Sequence, residues 1–206
     1  MIHLETINNC SFLKEDKRIT GLFSVLLITF AWNCAGNSYK QMAISDPYKL
    51  ISIEDSLLRL SSTTQVVQSI ALAHQVLGDS AMQAGDYEKA KKHFTRALKL
   101  FPNYSLYIYN QLMAEGHLLQ KSGKKNKLWS SIQAYSKAAT IFEKAGAPYY
   151  YIGKSYYKLG DKDFDLIIES YDKALALELS TELRRLANQA REDVVMREKK
   201  LKDFWK

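Results

Sequence analysis

Six of the nine glycines in this 206-residue chain form three pairs seven residues apart: Gly78/Gly85, Gly116/Gly123 and Gly153/Gly160. The pairs begin 38 and then 37 residues from one another. A fixed period of that length marks stacked repeats and constrains the fold more than any composition figure does. Glycine and proline together number twelve, about half the share usual for globular chains. Sandwiches and barrels need frequent turn residues, so the shortage argues against them and for an all-α fold. The hydrophobic share is 47% and the charged share 25%, which argues against wholesale disorder.

Around the first glycine pair the chain spells out a hairpin. In residues 71–104, Leu77, Ala81 and Ala84, then Ala90, Phe94, Ala97 and Leu98, recur at the spacing of amphipathic helices. Gly85 permits a left-handed helix end, Asp86 can cap the next start, and Phe101-Pro102 stops the second helix. Leu77, Gly78, Ala81, Gly85, Asp86, Tyr87, Ala90, Phe94, Ala97 and Pro102 stand at the spacings of the tetratricopeptide repeat (TPR), which the segment resembles. His74 occupies the fourth position, where that family usually has an aromatic residue. Glycine inside a helix costs about 1 kcal/mol relative to alanine, so Gly78 points to a close approach by the second helix.

Two degenerate copies follow in register. Residues 109–145 keep Gly116, Leu119, Gly123, Tyr135 and Ala138, with an insertion near Lys124–Lys127 and Ser131 where alanine is expected. Residues 146–181 keep Tyr149, Ile152, Gly153, Tyr156, Gly160, Asp161, Tyr171 and Ala174, with extra residues in the turn. Leu183, Leu186, Ala187, Ala190 and Val194 share one helical face, so 181–204 reads as a solvating cap helix opened by Ser180 or Thr181. Residues 48–70 supply one or two further helical segments against the first repeat.

The resemblance implies a right-handed α-solenoid of about three TPR-like hairpins with a C-terminal capping helix, in a helical-repeat domain over 47–206. It also implies a concave groove lined by the first helix of each repeat. The groove-facing positions fall on Gln75, Asp79, Met82 and Gln83 in the first repeat. In the second they are Asn110, Met113, His117, Gln120 and Lys121, and in the third Tyr150, Lys154, Tyr157 and Lys158. The implied occupant is a protein or an extended peptide, and these side chains suit acidic or aromatic groups on it. Tyr150 and Tyr157 could equally pack against a neighbouring helix, as Tyr149 and Tyr156 are expected to do.

Ahead of the repeats, Lys14, Lys17 and Arg18 precede an apolar run over 21–32. The run is too short to span a bilayer core comfortably but has the length of a signal h-region. Residues 1–33 therefore read as an export signal or anchor that sends the remainder across a membrane. The run ends Ala31-Trp32-Asn33-Cys34, which resembles a bacterial lipoprotein signal, where the cysteine is acylated and becomes the new N-terminus. That family usually has leucine where Ala31 stands and a small residue where Asn33 stands. On this resemblance Cys34 is the lipidation site, and residues 34–46 read as a polar tether. An uncleaved N-terminal anchor is the alternative. Cys10 is the only other cysteine, so the body of the chain is no disulfide scaffold or thiolate metal site.

No reaction chemistry is legible. His3, His74, His93 and His117 lack metal-ligand spacing, and no GxSxG, P-loop or Rossmann glycine pattern occurs. Asp161, Asp163, Asp165 and Asp172 imitate part of an EF-hand loop, but Leu166 stands where that loop requires glycine. Helix-capping aspartates are the simpler reading. We expect no enzyme, no metal and no cofactor. The formal charge is +7, and Lys121, Lys124, Lys125 and Lys127 cluster with no acid from 116 to 142. Solvated surface, anionic lipid headgroups and an acidic partner are all readings of that cluster; nucleic acid is not expected of an exported protein. The sequence thus points to a lipid-anchored, non-enzymatic interaction scaffold of the bacterial cell envelope, on its periplasmic or outer side. A ligand-binding or transporter-associated accessory subunit is the alternative.

Overall fold

The computed structural model describes residues 38–160 and 163–205. The chain divides into two compact units, Met1–Ser38 and Tyr39–Lys206, and the second is a run of helices. The signal or anchor segment, Cys34 and Asp161 lie outside the described residues. In order, the helices are α1 (residues 38–45), α2 (Pro47–Ser52), α3 (Glu54–Leu60), α4 (Thr64–Gln83) and α5 (Tyr87–Leu100). There follow α6 (Ser105–Lys121), α7 (Lys125–Ile141), α8 (Ala147–Leu159), α9 (Phe164–Ala176) and α10 (Thr181–Phe204). From α4 onward each helix packs chiefly on its neighbours in sequence, which makes an all-α solenoid of stacked hairpins.

The two glycines of each pair do different work. The first lets two helices meet: a Cβ on Gly78 would lie 2.5 Å from the Phe94 ring, and one on Gly153 would lie 2.9 Å from Tyr171. Gly116 stands closer still to Tyr135. The second makes the turn, with φ of +71° at Gly85, +67° at Gly123 and +122° at Gly160, a region that side chains with a Cβ rarely adopt. Asp86 then caps α5 by accepting from the Lys89 amide at 3.1 Å, as expected.

The extra residues of the second and third repeats are absorbed in different places. The ring that meets the first glycine lies seven residues after the helix start in both α5 and α9, but ten after it in α7. The insertion in the second repeat is therefore one more helical turn at the start of α7. In the third repeat the additional residues precede α9 in the sequence. Asp163 takes the N-cap position of α9, though its side chain makes no capping bond.

The N-terminal end departs from the sequence reading. The stretch read as a tether, 34–46, is helical over 38–45. Ala43 is fully buried there, in a core with Leu50, Leu57, Val66, Ile70 and Ala73. Tyr39, Met42 and Ala43 recur at helical spacing, and that sparse apolar stripe suffices to seat α1. At the other end, α10 covers the last hairpin with Ala187 and Val194, and Ser180 caps it by accepting from the Leu183 amide.

Candidate functional site

The residues expected to line a groove do not all face solvent. Met113, His117, Gln120 and Tyr150 are buried, so Met113 and Tyr150 are not open groove contacts, while His117 and Gln120 keep a small surface in the wall of a cleft. Each is covered by neighbouring helices of its own or an adjacent repeat, or by α10. The Tyr135 hydroxyl lies 3.0 Å from His117 Nδ1, and the Tyr87 and Tyr151 rings lie 4.9 and 4.2 Å from the His117 ring. Gln120 donates to the Tyr151 carbonyl and to Ser155 Oγ, and Ser155 in turn meets Ser131 at 2.9 Å. Ser131, read as a departure from alanine, is thus part of a polar seam between the second and third repeats. Tyr150 packs against Tyr171 and belongs to the core under α10.

The remaining candidates stay accessible. Gln75, Asp79, Met82 and Asn110 are half-buried, and Gln83, Lys121, Lys154, Tyr157 and Lys158 are exposed. Burial raises the Asp79 carboxyl above its ordinary range, while a hydrogen bond from Gln75 opposes the shift. Tyr157 accepts at its hydroxyl from Arg197 Nη1 at 3.0 Å, so α10 holds it from one side. Tyr149 lies under the Lys173 ammonium, and Tyr156 meets the Trp129 ring edge-on.

Three of these lysines converge. Lys121, Lys154 and Lys158 line a cleft of about 430 Å³ with Tyr87, His117, Gln120 and Tyr151, and no carboxylate lies in its walls. Lys121 donates to the Gly85 carbonyl and Lys158 to the Gln120 carbonyl, both at 3.3 Å. Burial, then the Lys158 charge, pushes the Lys154 ammonium below its ordinary pKa. Burial, then Lys154, lowers His117 to about 4, so His117 is neutral near pH 7 and accepts from Tyr135. Sequence spacing missed Tyr87 and Tyr151, because each enters the cleft from outside the groove-facing set.

A second polar cluster lies away from the cleft. Glu54 of α3, buried to 8% exposure, meets His74 Nε2 at 2.9 Å and accepts from Arg96 Nε at 2.7 Å. His74 Nδ1 faces His93 Nδ1 at 3.0 Å. Their centroids are 5.3 Å apart, so the rings confront each other through these nitrogens. The two nitrogens are at hydrogen-bond distance, and the cluster ties α3 to the first hairpin. Among the described residues, no group of three or more His, Cys, Asp or Glu side chains is placed to hold a metal, and no helix is long and apolar enough to cross a membrane.

No curated protein matches the chain. Among solved structures, the Arabidopsis OM64 TPR domain is similar at 20% identity and a TM-score of 0.47, over 62% of this chain and 96% of that one. MamA 41-end from Desulfovibrio magneticus RS-1 is similar at 18% identity and a TM-score of 0.41, over 77% of this chain and 98% of that one. The first hairpin, residues 71–104, matches the model of the tetratricopeptide repeat family.

Proposed function

We propose that this chain is a non-enzymatic interaction scaffold that binds an acidic protein segment in the cleft of Lys121, Lys154 and Lys158. The observation that carries this reading is a cleft walled by three lysines and no carboxylate. Lys154 is partly desolvated beside a like charge, so a bound carboxylate relieves both costs at once. Tyr157, exposed on the same helix as Lys154 and Lys158 and engaged from one side by Arg197, offers its open face to an aromatic or apolar neighbour of that acid. Among the described residues, no fully buried side-chain polar atom lacks a partner. Such atoms would be the grip of a small-ligand cavity, so the scaffold is favoured over the accessory-subunit alternative.

The test combines Lys154→Glu with Tyr157→Ala and follows co-purification of partners. Loss of the partner with helicity unchanged supports the cleft; undiminished capture moves the site elsewhere.

The envelope location is part of the same proposal and rests on residues 14–34 alone: basic residues, an apolar run and Cys34. Cys34→Ala is expected to abolish acyl labelling and to shift the chain from the membrane fraction. Identical fractionation and no label on the wild type would sink the lipid anchor while leaving the cleft intact.

A further inference from the structure

We propose that the edge of the stack where α6, α8 and α10 end and α7 and α9 begin docks on an anionic lipid surface. Sequential helices alternate in direction, so these termini share one side of the molecule. Trp129, near the start of α7, touches Tyr156 near the end of α8, and Arg197 of α10 reaches Tyr157.

Two features of that edge point to a membrane. The first is charge. The inserted turn of α7 carries Lys125 and Lys127 beside Lys124; all three are exposed, and no acid stands between residues 116 and 142. Among the described residues none of the three is ion-paired. Lys199 and Lys200, exposed on α10, extend the positive surface. Acids on this side stand at the start of α5 (Asp86, Glu88), the start of α9 (Asp163, Asp165) and the end of α10 (Glu198, Asp203), and none stands on the α7 turn itself.

The second feature is apolar. α10 has 24 residues against 13 in α9. Arg184, near the start of α10, donates to the Leu175 and Leu177 carbonyls at the end of α9, so the excess length lies at the other end. Its tip presents Phe204 and Trp205 at 78% and 81% exposure, and Trp129 is 43% exposed. Aromatic rings beside lysines suit the headgroup layer, where the ring enters and the ammonium stays among phosphates. A folded acidic protein would need a socket for the protruding tip, whereas headgroups yield around it.

The chain has three tryptophans. Trp32→Phe leaves only Trp129 and Trp205, so vesicles with brominated acyl chains quench emission only where this edge touches lipid. Quenching then reports the edge even if the N-terminal residues hold the chain to the vesicle. Phosphatidylglycerol-rich vesicles are expected to quench both, pure phosphatidylcholine weakly. Replacing Lys124, Lys125 and Lys127 by Gln should weaken the edge contact about a hundredfold, at about fivefold per lysine, with the circular dichroism unchanged. Unquenched emission on anionic vesicles that have taken up the chain would overturn the proposal, as would equal quenching on neutral vesicles or indifference to the triple substitution. An emission shift without vesicles that grows with protein concentration would assign the edge to a second copy.

Discussion

At Gly116 an added methyl group would press into the Tyr135 ring, which is fully buried and tethered at its hydroxyl by His117. The ring cannot retreat, so overpacking outweighs the about 1 kcal/mol that alanine gains in an open helix. Gly116→Ala is expected to lower the unfolding free energy by about 1–3 kcal/mol, read from urea denaturation; an unchanged midpoint would mean the ring has slack. His117 gives a second outcome. Its pKa in the fold is about 4, below the roughly 6.5 of an unfolded histidine, so between those values the unfolded chain binds the extra proton. Stability from this residue is therefore full above pH 6.5 and is lost as pH falls to 4, by at most about 3 kcal/mol. His117→Gln should flatten that slope in urea midpoints measured from pH 7 to 4. The glycine contacts were legible because a missing Cβ and a positive φ leave a fixed spacing. The burial of Met113, His117, Gln120 and Tyr150 was not, because repeat position indicates a helix face but not which neighbouring helices close over it.

Helices are held here by their ends as much as by their faces. Ser180 receives the Leu183 amide at the start of α10, and α10 covers Ile167, Tyr171 and Ala174 of α9. Ser180→Ala should cost about 1 kcal/mol and appear as earlier thermal loss of helicity, while replacement of the exposed Gln189 should not. The cap helix was readable in full because its apolar residues keep one face for several turns. α1 was not, since Tyr39, Met42 and Ala43 stand among polar neighbours and gain meaning only from Leu50 and Ile70. The Glu54–His74–His93–Arg96 cluster was equally hidden. It joins three helices, and no local spacing announces contacts of that range.

A stack with contacts chiefly between neighbours loses its ends before its middle. The central helices α6, α7 and α8 carry the Gln120–Ser155–Ser131 seam and the Tyr135–His117 bond. Their amides should exchange with deuterium most slowly, and those of α2, α3 and the last turns of α10 most quickly. Equal protection throughout would show that the stack opens as one unit. The same layout bears on how such a chain can change through its history. The second repeat holds three more residues between its glycine and ring than the first without disturbing the ring-on-glycine contact, because they lengthen α7 at its start. A gene for this fold can therefore accept small in-frame additions near each turn at little structural cost. In this chain the added turn displays lysine along the border where α7 begins.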